Sequence, residues 1–154
     1  MVVVHGGACY VSTDLMLPGE EEGVREAIEK SLQKSQQHLA NGGTSVEAVR
    51  IAINILEDSP FFNAGKGSVF TSSGTNELDA SIMNGQNGQA GAVAGLTNIK
   101  NPIDAAIAVM VHSPHVFLIG KGADEFAVTH GMGYSTANLF LQRTSIPRTS
   151  RGIE

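Results

Sequence analysis

Tryptophan is absent from the 154 residues, and Cys9 is the sole cysteine. A lone cysteine rules out an internal disulfide framework and reads as a small buried hydrophobe. No run approaches the ~18 apolar residues that a membrane-spanning helix requires. The opening MVVVHGG has neither the basic start nor the long apolar stretch of a secretory leader. The expectation is therefore a cytoplasmic protein without membrane contact. Charge is also scarce: Asp, Glu, Lys and Arg make up 16% of the chain, against about 25% in ordinary domains. Ten basic residues face fifteen acidic ones, for a net charge of −5. A nucleic-acid binder wants a basic face, so no nucleic-acid partner is expected. No internal repeat is visible.

What is present is apolar and small. Hydrophobic residues reach 42% and mean hydropathy is +0.01, enough for a core and against disorder. The eighteen glycines are about 12% of the chain, against the usual ~7%. That excess suggests close backbone packing.

Local patterns order the chain as β-α-α-β-β-α-β-α. Val2–His5 reads as a short β-branched strand stopped by Gly6-Gly7, and residues 8–19 as a loop. A helix over 20–40 carries Val24, Ile28 and Leu32 at helical spacing, with Glu20–Glu22 in its first turn, where the dipole favours acid. Asn41-Gly42-Gly43 stops it. Thr44 and Glu47 form the T-x-x-E capping box of a second helix, reaching about Asp58 with Val46, Val49, Ile53 and Leu56 on its apolar face. SPFFNAGKGS (59–68) has no period and reads as an ordered loop with a buried aromatic side. Val69–Thr71 reads as a strand end. Leu78–Met83 and 89–96 read as a hairpin through Asn84-Gly85. Asn101-Pro102 opens a helix as N-cap and first residue, running to about His112. Val116–Ile119 reads as a strand, Gly122–His130 as a short helix, and 134–154 as a linker or divergent tail. The strands do not alternate singly with helices, so a doubly wound fold is excluded. A layered α+β arrangement fits, with a mostly antiparallel sheet covered on both sides.

Chemistry is thinly marked. Gly65-Lys66-Gly67-Ser68 lacks the spacing of a phosphate-binding loop and reads as a tight turn. His112 and His115 stand three apart across Pro114. They could offer two imidazoles to a metal, but no third ligand is in an obvious place, and a helix ending in His is also favoured by the dipole. Glu57, Asp58, Glu77 and Asp79 are candidate acid/base carboxylates or structural hydrogen-bond acceptors, and Glu77 and Asp79 would share one face of a strand. His5 lies at a strand end, where it serves either a site or its own backbone.

Six collinear segments carry a resemblance: VVVHGGA (2–8), LEDSPFFNAGKGSV (56–69), ELDASIMNG (77–85), AGAVAGL (90–96), KNPIDAA (100–106) and HSPHVFL (112–118). Together they resemble the α-subunit half of the plant-type L-asparaginase/isoaspartyl peptidase family, the N-terminal-nucleophile hydrolases, over roughly residues 2–133. The resemblance implies half of an α-β-β-α sandwich. It also implies a precursor that cleaves itself into α and β subunits, likewise an α2β2 heterotetramer. A threonine that becomes the β N-terminus would be the nucleophile, its amine part of the base system. The substrates implied are L-asparagine and β-aspartyl dipeptides.

The family's Gly-Thr cleavage pair is not matched, since Gly152 is followed by Ile153. No catalytic residue is therefore expected in this chain, and no hydrolase activity from it alone. The resemblance makes 56–66 a sodium-binding loop, with ligands from the main-chain carbonyls of Leu56, Glu57, Ser59, Phe62, Ala64 and Lys66. No organic cofactor is implied. Asn63 resembles an active-site support beside the catalytic threonine, and His5, Gly6 and Gly7 resemble the loop that shapes the precursor for self-cleavage. Two alternatives stand beside this reading. One is a non-catalytic remnant or interaction protein of the same fold. The other is a relative of the glycosylasparaginases or threonine aspartases.

Overall fold

The computed structural model describes residues 1–7, 16 and 18–133. The expected loop at 8–19, Cys9 and the tail at 134–154 lie wholly or largely outside the described residues. Helix α1 spans Glu20–Ala40 and α2 spans Ser45–Glu57. The capping box forms: Thr44 Oγ1 accepts from Glu47 N at 3.2 Å, and Thr44 N donates to Glu47 Oε2 at 3.4 Å. Where α1 packs on α2, the fully covered positions are small: Ser31 and Ser35 on α1, Ala48 and Ala52 on α2. Val24, Ile28 and Leu32 are only half-buried, so α1 makes its close contacts through serines beside its apolar stripe.

Strand β1 (Leu78–Met83) pairs antiparallel with β2 (Ala90–Leu96) through the turn at 84–89. Helix α3 (Pro102–His112) then carries the chain to β3 (Phe117–Ile119), which pairs parallel to β2. Helix α4 (Gly120–Thr129) follows directly. The sheet order is β1-β2-β3. The sheet is therefore mixed, where a mostly antiparallel one was expected. The reason is topological: α3 is a crossover connection, and a crossover returns the chain in parallel.

The core joins Leu78, Ile82, Val93 and Leu96 of the sheet to Ile103, Ala106 and Val109 of α3 and to Ala123 and Ala127 of α4. The approach is close enough that a Cβ on Gly91 would collide with Ala106 O and Met110 N. Asp124, buried on α4, ties down the turn after β2. Its carboxylate accepts from Thr97 N, Thr97 Oγ1, Asn98 N and Asn98 Nδ2 at 3.0–3.3 Å.

Three expectations change. Val2–His5 is in no strand; its residues alternate between exposed and half-buried, and the following Gly6 sits against α1 and the loop after α2. A Cβ on Gly6 would lie 2.9 Å from Phe62 Cε1 and 3.1 Å from Ile28 Cδ1. Short apolar runs become strands only where a neighbour offers backbone partners, and none of the described strands borders this one. Val69–Thr71 is likewise not a strand. Thr71 closes a turn instead, its N–H donating to Thr75 O at 2.7 Å and its carbonyl accepting from Gly74 N at 3.0 Å. Finally, the described residues cover only one face of the sheet. Cross-strand pairing places Ser81, Met83, Ala90, Ala92, Ala94, Phe117 and Ile119 on the other face, with Met83 67%, Phe117 55% and Ile119 63% exposed.

Candidate functional site

The segment after α2 cannot continue the helix because Pro60 follows Ser59. It folds back on itself. Asp58 N and Ser59 N donate to Asn54 O and Leu56 O, Ser59 Oγ accepts from Phe61 N, and one 3-10 turn forms at Gly65–Gly67. Glycine is required at two points. Gly65 has φ +49°, and a Cβ there would strike Glu57 O. A Cβ on Gly67 would strike Phe62 O and lie 2.8 Å from Pro60 O. The loop is thus wound tightly enough for main-chain carbonyls to sit against α-carbons.

Beside this loop is a hollow of about 180 Å³, lined by Glu57, Asn63, Ser68, Glu77, Asp79 and neighbouring backbone. Three of the four candidate carboxylates therefore meet. Asp58 stays outside, paired with Lys100 Nζ at 2.6 Å. Glu77 and Asp79 reach the hollow around a register shift between Leu78 and Ala80, and such irregularities re-aim side chains. Asp79 Oδ1 accepts from Gly95 N at 2.8 Å, and Glu77 Oε1 is 3.5 Å from Thr75 Oγ1.

Glu57 is the most perturbed group. It is buried, and its carboxylate accepts from Ile103 N at 3.0 Å and Asn101 Nδ2 at 3.1 Å. Those donors belong to the start of α3, so Glu57 caps that helix from the end of α2. Asn101 was expected to do this with its own side chain, and does not. Burial pushes the Glu57 carboxyl up to about 7; the two hydrogen bonds oppose the rise, and the charges of Asp104 and Asp58 add to it.

The remaining expected site residues are placed as follows. Asn63 is exposed, lines the hollow, and accepts through Oδ1 from Val69 N at 2.9 Å, closing the loop. Of the six expected ligand residues, Leu56, Glu57, Ser59 and Phe62 are buried, and Ala64 and Lys66 half-buried. The Leu56 and Ala64 carbonyls accept from Ser59 N and Gly67 N, and each keeps a second lone pair. Such carbonyls are the hard oxygen donors that a group-one cation takes. Of His5, Gly6 and Gly7, Gly6 is set against this loop at Phe62, while a Cβ on Gly7 would meet nothing within 4 Å.

His112 and His115 are engaged separately. His112 stacks on His130 of the α4 C-cap at 5.1 Å and 18°, while His115 N donates to Ser113 Oγ. The lone pairs of stacked rings lie in two near-parallel planes, which do not converge on one ion. Among the described residues, no three His, Cys, Asp or Glu are grouped to hold a metal.

Two features escaped the sequence reading. Ser68 lines the hollow, and its hydroxyl is buried without a hydrogen-bond partner among the described residues. The Asp124 clamp was also missed. Neither has a local sequence signal, because both depend on contacts between distant segments.

A family model described as asparaginase matches residues 1–150. The chain is similar to an isoaspartyl peptidase of Escherichia coli, at 41% identity over 91% of the chain and 44% of that protein. It is similar to a plant-type L-asparaginase of Pyrococcus abyssi, at 45% over 82% of the chain and 40% of that protein. It is also similar to an isoaspartyl peptidase/L-asparaginase of Rattus norvegicus, at 44% over 94% and 42%. The chain thus spans less than half the length of the curated relatives it matches.

Proposed function

The chain belongs to the asparaginase family, and from that membership we propose that it is the α half of an asparaginase/isoaspartyl peptidase. Its substrates are then L-asparagine and β-aspartyl dipeptides. The observation that carries this reading is the half-built sheet. One face is sealed by α3 and α4, while the other presents Met83, Phe117 and Ile119 to solvent. Apolar surface of that kind marks a face to be covered, and the relatives are more than twice as long as the matched region. The second sheet of an α-β-β-α sandwich is the natural cover. In this reading the cover is the β half, produced by autoproteolysis and assembled as α2β2, and it brings the threonine nucleophile.

The hollow beside loop 58–68 is where the halves meet. Asn63 stands at its exposed rim, held through Oδ1 by Val69 N, and from there supports a nucleophile arriving from across the interface. His5, Gly6 and Gly7 hold the precursor's shape for self-cleavage, with Gly6 set against Phe62. A sodium ion held by the carbonyls of Leu56, Glu57, Ser59, Phe62, Ala64 and Lys66 would supply positive charge that keeps the loop wound. These residues otherwise orient Asn63 and the start of α3. No helix among the described residues is long and apolar enough to cross a membrane.

The test is hydrolysis of asparagine and a β-aspartyl dipeptide by the purified chain, alone and joined to the β half of a relative. Turnover only in the joined form is expected, with Asn63→Ala lowering it. Turnover by the chain alone would overturn the division of labour. No turnover from a correctly assembled joined form would leave a non-catalytic protein of the same fold.

A further inference from the structure

We propose that Asn84-Gly85, in the β1–β2 turn, is the preferred site at which this chain converts an asparagine to an isoaspartyl linkage. The sequence holds three Asn-Gly steps, at Asn41, Asn84 and Asn87. In each, the following residue has no side chain to block its amide nitrogen. The fold distinguishes them.

The reaction needs that nitrogen. The backbone N of the glycine gives its proton to solvent base, and its electron pair attacks the side-chain carbonyl carbon of the asparagine. The bond to the side-chain nitrogen breaks, and that nitrogen leaves as ammonia. A five-membered succinimide remains. Water then adds at one of the two ring carbonyls. Opening next to the side-chain carbon gives aspartate; opening next to the main-chain carbon gives isoaspartate. The net change is amide plus water to carboxyl plus ammonia, with no oxidation or reduction.

An N–H already donating to a carbonyl is held away from this attack and from base. Gly42 N donates to Leu39 O at 3.0 Å at the end of α1. Gly88 N donates to Asn84 O at 2.8 Å across the turn. Gly85 is exposed, and its N–H has no partner among the described residues. The side chain it must attack is also activated. Asn84 Oδ1 accepts from Gln86 N at 3.0 Å, which holds the side chain over the Gly85 peptide and draws electrons from its carbonyl carbon. The same bond would stabilise the negative charge that forms on that oxygen. Asn87 has the equivalent bond from Gln89 N at 3.0 Å but lacks the free nucleophile.

The product has local consequences. Isoaspartate adds one carbon to the main chain between Asn84 and Gly85 and turns the Asn84 carbonyl into a free carboxylate. That carbonyl is the acceptor for Gly88 N, and Asn84 N donates to Gln89 O at 2.8 Å. The modification therefore re-spaces the bonds that close the hairpin beside the Met83–Ala90 pair.

The experiment ages the purified protein in mildly alkaline buffer and maps peptides by mass and by labelling with protein-isoaspartate methyltransferase. A urea-unfolded sample is aged in parallel. The expected result is a several-fold excess of conversion at Asn84 over Asn41 and Asn87 in the folded protein, lost in urea. Gly85→Ala is expected to suppress it, and is well tolerated because a Cβ there meets no atom within 4 Å and φ is not left-handed. Conversion at Asn41 or Asn87 matching Asn84 in the folded protein would overturn the proposal. So would the same site ratio folded and unfolded, or undiminished conversion in Gly85→Ala.

Discussion

Two glutamates near opposite ends of α2 are pushed in opposite directions. Glu47 is exposed at the N-terminus, and its carboxyl lies below the ordinary 4.5. The Thr44 hydroxyl donates to it at 2.8 Å, with further help from Thr44 N and from His38 at 3.2 Å. Glu57 is buried at the C-terminus and rises to about 7 because burial outweighs its two hydrogen bonds. One residue type on one helix thus takes opposite shifts. The difference teaches that partners alone do not set a carboxylate's state. Glu47 gains donors without leaving water, whereas Glu57 gains donors only by being walled in between α2 and α3.

The most forceful way to break this comparison is Glu57→Ala. It would orphan Ile103 N in a buried place, leave the Asn101 amide with Asp58 alone, and open a void, costing about 3 kcal/mol. Urea unfolding measures it, and a loss no larger than that of a surface substitution would refute the capping role.

The pH dependence is the next effect. Between about 4.5 and about 7 the folded chain keeps the Glu57 proton that the unfolded chain has released. Its contribution is fully present below the unfolded value and falls as pH rises through that window. Stability curves of wild type and Glu57→Gln should diverge across it, with the downward slope lost in the variant. Parallel curves would mean that burial does not raise this carboxyl.

At the other end, Thr44→Ala should cost about 1 kcal/mol. It removes the largest cause of the lowered Glu47 value. The Glu47 contribution has the opposite sense, present above 4.5 and lost as pH falls through the folded value. Thr44→Ala should therefore lower stability at neutral pH and flatten the acid limb of the curve, so that the gap to wild type narrows as pH falls.

The smallest effect sharpens the comparison within one residue of Glu57. Asp58 pairs with Lys100, both side chains about half-exposed. Asp58→Ala should cost no more than about 1 kcal/mol. A loss as large as that from Glu57→Ala would show that adjacent charge, rather than burial, decides this corner.

These two ends also divide what could be read in advance. Thr44 and Glu47 sit three apart before an apolar run, and a capping box needs nothing more distant than that spacing. The spans of α1, α2, β1 and α3 and the hairpin turn were legible for the same reason. Glu57 was visible only as one carboxylate among four. Its partners lie at 101 and 103, and no local pattern links them. Asn101 illustrates the cost of a local rule: it has the right type and place for an N-cap, yet its side chain is drawn to Glu57 and Asp58. Val2–His5 has a strand's composition but no strand beside it among the described residues. The parallel pairing of β3, the shift at Asp79 and the buried Ser68 hydroxyl likewise follow from how segments come together.

The sequence by itself determined the helices, their ends, the hairpin and, through six collinear segments, the family, because each of these is written in residues near one another. Only the tertiary structure decided that the Glu57 carboxylate caps α3. It alone gathered Asn63, Glu77 and Asp79 around one hollow and left one face of the sheet uncovered by the described residues. Burial and pairing depend on distant residues meeting, and desolvation acts only once they have met.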